Sequence, residues 1–260
     1  MNENSANRIQ RFELKYLIDR ESVGLLRSEI APYCRADAHN PAPNTGYAIH
    51  SIYADTPDWF LFHASRRNDF ERIKLRLRSY QSGPAFLEVK RKVGEVIEKT
   101  RARVHREDVE EAVTGFLCPQ QPEQQRGLSR FAYFAARLGA SPRILVSYLR
   151  EAYVSEVDGY ARVTFDHSIT AREWESWSLN CEQPEPIPLT LDDAWQYDGL
   201  RSPTVLELKC ESRVPYWLLD LIRRHRLQRS GFSKYCYGAL AVTRRLSGLD
   251  HAFLESKVYV

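Results

Sequence analysis

Between residues 72 and 78 every even position is a cation, Arg72, Lys74, Arg76 and Arg78, and every odd position is aliphatic, Ile73, Leu75 and Leu77. Successive side chains on a β-strand point to opposite faces. One face of this segment therefore carries four positive charges about 7 Å apart, and the other is a hydrophobic stripe. One such strand would be an ordinary half-exposed strand with its cations in water, but the alternation recurs. Arg11, Glu13 and Lys15 oppose Phe12, Leu14 and Tyr16; Arg162, Thr164 and Asp166 oppose Val163 and Phe165; Glu207 and Lys209 oppose Leu206 and Leu208. Glu88, Lys90 and Lys92 share one face, as do Lys99, Arg101 and Arg103. Cations gathered on one lining repel one another and lose hydration unless an anion joins them, which points to a polyanionic ligand. Glu13, Glu88 and Glu207, interleaved with the cations, could neutralise them or offer hard oxygen ligands to Mg²⁺ or Mn²⁺. Phosphate chains bound together with such a metal require both kinds of group.

Positioning these residues requires a sheet that is apolar on one face and charged on the other. Helices can cover the apolar face, and the sheet can curl so that the charged face lines a cavity, removing exposed edges as it closes. Strands are expected near 8–17, 47–54, 70–80, 85–93, 96–104, 143–154, 159–166 and 203–210. Helices are expected after Asp19 as N-cap, with Val23, Leu26 and Ile30 on one face; over 127–138, stopped by Gly139; from Pro215 to about 229, burying Trp217, Leu218, Leu221 and Ile222; and over about 234–246. Segments 118–126 and 182–203 read as loops. There is no internal repeat, and neither loop separates two complete cores, so 1–260 reads as a single domain.

Composition narrows the class. The chain has 260 residues, 43% of them hydrophobic and 27% charged, which suits a soluble globular protein rather than a disordered one. Net charge is only +3, so placement of charge matters more than its total. The odd number of cysteines, five, without a CxxC pair indicates neither a disulfide framework nor a zinc ribbon, and suits reduced thiols in the cytoplasm. Cys210 and Cys236 read as buried small hydrophobes. No apolar run approaches a membrane span, so the expectation is no direct insertion, and membrane association only through a separate partner. The chain lacks a GxxxxGK[ST] loop, GxGxxG, HExxH and GxSxG. Trp174 and Trp177 could stack on a base, although core packing accounts for them better.

The segments Arg11-Phe12-Glu13-Leu14-Lys15-Tyr16, Ser51-Ile52-Tyr53-Ala54-Asp55-Thr56, Lys74-Leu75-Arg76-Leu77-Arg78 and Phe86-Leu87-Glu88-Val89-Lys90 resemble successive motifs of VTC domains. The resemblance continues through Tyr148-Leu149-Arg150, Arg162-Val163-Thr164-Phe165-Asp166, Leu206-Glu207-Leu208-Lys209 and Phe232-Ser233-Lys234-Tyr235. Each is short, but eight in order over about 8–240 make a specific signal.

The resemblance implies an α+β fold, an antiparallel eight-stranded β-barrel of the triphosphate tunnel type with helices packed outside. It also implies a phosphotransferase that polymerises the γ-phosphate of ATP into inorganic polyphosphate. Lys90, Arg150 and Lys234 would then serve catalysis. Lys15, Lys74, Arg76, Arg78, Lys99, Arg101, Arg162 and Lys209 would bind ATP, triphosphate or polyphosphate. Glu207, helped by Glu88 or Glu13, would hold Mn²⁺ or Mg²⁺. Arg11 stands where the wider tunnel superfamily often carries the first Glu of ExExK, leaving fewer carboxylates for a second metal. Neither a phosphoinositide-binding-like domain nor a membrane anchor is expected in this chain. A metal-dependent tripolyphosphatase or nucleoside triphosphatase needs the same tunnel, and a non-catalytic polyphosphate-binding module needs only its cations. Nucleic acid fits poorly, because the interleaved glutamates would repel a bare phosphate backbone.

Overall fold

A computed structural model describes residues 11–42, 44–80, 83–119, 121–179, 189–190, 204–211 and 213–247. In chain order the elements are β1 (Arg11–Ile18), α1 (Ser22–Ile30), β2 (Cys34–Ala36), β3 (Tyr47–Asp55), α2 (Phe60–Arg67), β4 (Glu71–Tyr80), β5 (Ala85–Val93) and β6 (Val96–Val104). There follow α3 (Val109–Thr114), α4 (Pro122–Leu138), β7 (Ser141–Ser155), β8 (Ala161–Glu173), β9 (Leu189–Thr190), β10 (Thr204–Glu211), α5 (Tyr216–Arg224) and α6 (Lys234–Ser247). All eight strands expected from the alternation form, and the fold is α+β with antiparallel pairing.

The chain divides into two compact units. The first takes Met1–Tyr47, Arg150–His167 and Trp195–Phe232. Its strand order is β1-β10-β8-β7, with β2 on β7. Apolar residues from β1, β8 and β10 (Tyr16, Ile18, Val163, Phe165, Leu206, Leu208) meet Val23, Leu26 and Ile30 of α1 and Leu218 and Leu221 of α5. Those helices cover the apolar face because their buried residues recur at helical spacing. The second unit takes Ala48–Leu149, Ser168–Ala194 and Ser233–Val260. Its strand order is β7-β3-β4-β5-β6, with β9 on β8. Ile73, Leu75 and Leu77 of β4, Leu87 and Val89 of β5 and Ala102 of β6 form its core with α3 and α4, which contribute Val109, Ala112, Leu128 and Phe131. Each buried leucine contributes about 1.5–3 kcal/mol of transfer free energy. The opposite face of β4–β6 carries the charged residues together with Phe86 and Tyr80.

Several local expectations are corrected. Glu21, not Asp19, occupies the N-cap of α1, with no side-chain cap bond; Asp19 contributes its carbonyl, accepting the Ser22 N–H at 3.0 Å. Helix α4 starts at Pro122, inside the expected loop 118–126, because proline suits a first helical turn whose N–H groups have no partner anyway. Gly139 ends it in the left-handed region, φ 61°, as expected. Helix α5 stops at Arg224 rather than near 229, where Leu227 N–H turns back to the Ile222 carbonyl at 3.0 Å. Helices α2 and α3 and the short strands β2 and β9 were not anticipated. Strand β9 falls in the expected loop 182–203, and the remainder of that loop lies outside the described residues. So do 8–10 and 203, the outer ends of two expected strands.

Candidate functional site

Register turns the alternation of β4–β6 into rows across the sheet. Lys74 stands opposite Lys90, and Lys90 opposite Lys99. In the next row Tyr53, Arg76, Glu88 and Arg101 are aligned. In the third are Ser51, Arg78, Phe86 and Arg103. Neighbouring strands lie about 4.8 Å apart and rows about 7 Å apart, so this one face gathers cations in two directions. Glu88 sits among them: Arg76 donates to its Oε2, Arg78 Nε lies 3.7 Å from that oxygen, and Arg101 Nε lies 3.5 Å from Oε1. Burial alone would raise the Glu88 carboxyl, but Arg76 and Arg78 outweigh it and hold the group below its ordinary value. Tyr53 is similar. Burial favours its neutral form, yet Arg76, Arg78 and Lys234 bring the phenol below its usual value, and Arg76 Nη1 donates to its oxygen at 3.3 Å.

Helix α6 adds to this face. At Gly238 a Cβ would stand only 2.9 Å from Val146 Cγ2 of β7, so glycine permits the close seat of α6 on that strand. The first residues of α6 then reach the charged rows. Lys234 Nζ lies 4.7 Å from the Tyr148 ring centroid, Lys74 Nζ donates to Ser233 Oγ at 3.0 Å, and Tyr235 stacks on Tyr53 with centroids 5.1 Å apart. Asp55, at the end of β3, locks the arrangement. Its carboxylate accepts the N–H groups of Thr56 (2.8 Å), Leu61 (2.8 Å) and Phe62 (3.0 Å), which fixes the start of α2, and also the Tyr235 hydroxyl. Burial nonetheless leaves the Asp55 carboxyl above its ordinary value, with these donors opposing the rise.

In the first unit a second mixed group forms. Lys15 stands opposite Glu207, which stands opposite Thr164; Glu13 stands opposite Lys209, which stands opposite Arg162. Lys15 Nζ is 3.2 Å from Glu13 and 3.6 Å from Glu207, and donates to the Phe232 carbonyl at 3.2 Å. Lys209 Nζ is 3.0 Å from Glu207. Arg150 donates from Nε and Nη2 to both oxygens of Asp166 at 2.6 Å, and Nη2 lies 3.7 Å from Glu207. Arg162 pairs with Asp37 at 2.9 Å.

Among the described residues no three His, Cys, Asp or Glu side chains converge as a ready cage for a cation. Glu13 and Glu207 converge on one ammonium, and the Thr164 hydroxyl opposite Glu207 is fully buried without a hydrogen-bond partner. Two carboxylates, with water and phosphate oxygens to complete the shell, are what Mg²⁺ takes when it arrives with a phosphate substrate. The donor set therefore fits a metal bound together with phosphate. Glu88 fits less well, since three guanidiniums already surround its oxygens.

The sequence-derived candidates thus fall into two groups. Lys74, Arg76, Arg78, Glu88, Lys90, Lys99, Arg101 and Lys234 belong to the second unit, and Glu13, Lys15, Arg150, Arg162, Glu207 and Lys209 to the first. Tyr53, Asp55, Tyr148 and Tyr235 were not singled out, although each stood within a quoted motif; their partners are set by register and by α6, which strand alternation does not report. Trp174 is buried, donating Nε1–H to the Ser178 carbonyl at 3.2 Å, and Trp177 packs on Phe131. Both serve the core. Cys210 and Cys236 are buried, as expected.

The VTC domain family model matches residues 10–243. Similar solved structures include a candidate adenylate cyclase from Vibrio parahaemolyticus, with 12% identity and TM-score 0.44, covering 88% of this chain and 97% of that one. Another is a protein from Pyrococcus horikoshii OT3, with 13% identity and TM-score 0.43, covering 89% of this chain and 98% of that one. No curated protein matches the chain by sequence.

Proposed function

The chain belongs to the VTC domain family, and from that premise we propose that it is a polyphosphate polymerase-like phosphotransferase, taking ATP as phosphate donor and extending a phosphate chain. The observation that carries the phosphate reading is the row Lys74, Lys90 and Lys99, three ammoniums in register on adjacent strands. Like charges directly opposite one another destabilise a sheet, and a bound polyanion reverses the sign of that interaction.

In this reading Arg76 and Arg78 grip phosphate oxygens with planar guanidiniums, and Lys74, Lys90, Lys99 and Lys234 act as point charges. Phosphoryl transfer asks little covalent work of a protein. Charge placed where it builds up on the transferring group supplies most of the rate. Lys90 and Lys234 are assigned that role. Arg150, fixed by Asp166, orients Glu207, and Lys15, Arg162 and Lys209 are assigned to the phosphate chain. Glu207 and Glu13 would hold Mn²⁺ or Mg²⁺, which when bound supplies further neutralisation of phosphate oxygens.

A triphosphatase would use the same groups with water as nucleophile, and a binding module would use them without turnover. Product analysis from γ-labelled ATP with Mn²⁺ and a polyphosphate primer separates the three. Label in a lengthening ladder supports the polymerase. Label only in orthophosphate at every primer concentration replaces it with the hydrolase, and tight binding without release of label replaces it with the module.

A further inference from the structure

The charged rows of β4–β6 do not end in charge. Beyond the lysine row and the Arg76 row comes Phe86, in register between Arg78 and Arg103, and then Tyr80, two residues past Arg78 on the same face of β4. The two rings meet edge to face, with centroids 5.8 Å apart and planes at 81°. Arg78 Nη1 donates to the Tyr80 hydroxyl at 3.3 Å, tying the aromatic pair to the cationic row. The Arg101 guanidinium carbon lies 3.6 Å from the Phe86 ring centroid, and that side chain keeps 48% of its surface exposed. Phe86 thus supports the guanidinium of a half-exposed side chain. A phosphate chain gains from donors, not from apolar surface, so the rings can serve it only through the support they give Arg78 and Arg101.

We propose that Phe86, Tyr80 and Arg101 form a stacking shelf for the base of a nucleoside triphosphate. The inference rests on the reading of this face as a triphosphate site and adds an orientation to it: terminal phosphate toward Lys74, Lys90 and Lys99, nucleoside toward Tyr80. Bases stack on aromatic rings and on guanidinium planes alike, with little discrimination among bases because every base presents a π-face. The shelf therefore selects nucleotides over inorganic triphosphate without choosing strongly among the nucleobases. It is also distinct from Trp174 and Trp177, whose rings are committed to the core.

The test compares ATP with inorganic tripolyphosphate, measured by calorimetry at one Mg²⁺ concentration, in wild type, Phe86→Leu and Tyr80→Leu. Loss of a stacking partner is expected to weaken ATP about tenfold and to leave tripolyphosphate within about twofold. A triphosphate of 2-aminopurine riboside gives an independent readout in the unmodified protein, since its fluorescence falls on stacking. Equal loss of ATP and tripolyphosphate in both variants, or unchanged ATP affinity together with an unquenched probe, overturns the shelf and leaves the triphosphate site standing. Failure of wild type to bind either ligand overturns the triphosphate reading itself, and the shelf with it.

Discussion

Lys90 lies directly opposite Lys99 across the β5–β6 pair, and Lys74 directly opposite Lys90 on its other side. A like-charged pair of this kind costs about 0.2–1 kcal/mol. Lys90→Gln is therefore expected to raise the melting temperature of the ligand-free protein by about 1–3 °C. The same substitution should reduce the stabilisation given by tripolyphosphate, which binds the native state and shifts unfolding by mass action. A scanning fluorimetry series with and without ligand checks both. A lower melting temperature in the ligand-free variant would count against repulsion in this row.

Ligand-induced stabilisation should also shrink with salt, because part of the attraction is screened. Arg76→Ala combined with Arg78→Ala should abolish the shift produced by polyphosphate. Arg67→Ala, which removes an exposed pair with Asp69, should leave it intact. Equal shifts in both proteins would place the anion elsewhere.

Glu88 gives a pH-dependent prediction with a definite sign. Its folded value lies below the ordinary 4.5, held there by Arg76 and Arg78 against burial. The native state therefore binds fewer protons than the unfolded one near pH 4.5. The stability Glu88 contributes is fully present above that pH and is lost as pH falls through the folded value. Glu88→Gln should destabilise the ligand-free protein at pH 7 and flatten the acid limb of its stability profile. If Glu88 only neutralises cations, the variant should bind tripolyphosphate more tightly. Weaker, metal-sensitive binding would restore Glu88 as a metal ligand.

Much of this was readable from sequence, for a particular reason. On β4, β5, β6, β8 and β10 one face had to be apolar to pack against helices, so any charged residue on the other face stood out in a period of two. The alternation of Ile73, Leu75 and Leu77 with Lys74, Arg76 and Arg78 gave the strand, its core face and its candidate ligands at once. It gave nothing about which rows align. That Glu88 meets Arg76 and Arg101, or that Arg162 meets Asp37, depends on register and on a loop far away in sequence. Helix α2 was invisible for a similar reason. Its start is fixed by the buried Asp55, which also accepts from Tyr235, 180 positions on.

Arg150 and Asp166 are a buried bidentate pair with side chains 10% and 0% exposed. Removing one partner of a buried pair costs about 3–5 kcal/mol, and Glu207, 3.7 Å from Arg150 Nη2, offsets only part of the loss. Asp166→Ala should accordingly lower the melting temperature by on the order of 10 °C. If Arg150 positions Glu207, Asp166→Asn should keep most of the fold while losing turnover. Retained turnover in a folded Asp166→Asn protein would reduce the pair to a structural role.

The last prediction concerns the metal. Glu13 and Glu207 share Lys15, and Glu207 also meets Lys209 and Arg150. Without a ligand, these cations already neutralise the two carboxylates, so a divalent ion has little to gain by binding alone. Phosphate would change the balance by drawing the cations to its own oxygens and offering the ion further hard ligands. Mn²⁺ is therefore expected to bind weakly to the ligand-free protein and much more tightly once tripolyphosphate is present, and each ligand should strengthen the other by the same factor. Glu207→Gln should remove this coupling and lower metal-dependent turnover roughly 100-fold or more, while circular dichroism and melting temperature remain those of a folded protein. Titration of Mn²⁺ by paramagnetic resonance, with and without tripolyphosphate, measures the coupling directly and without reference to activity. Tight Mn²⁺ binding in the absence of phosphate, or coupling unchanged in Glu207→Gln, would show that the ion is held by other residues.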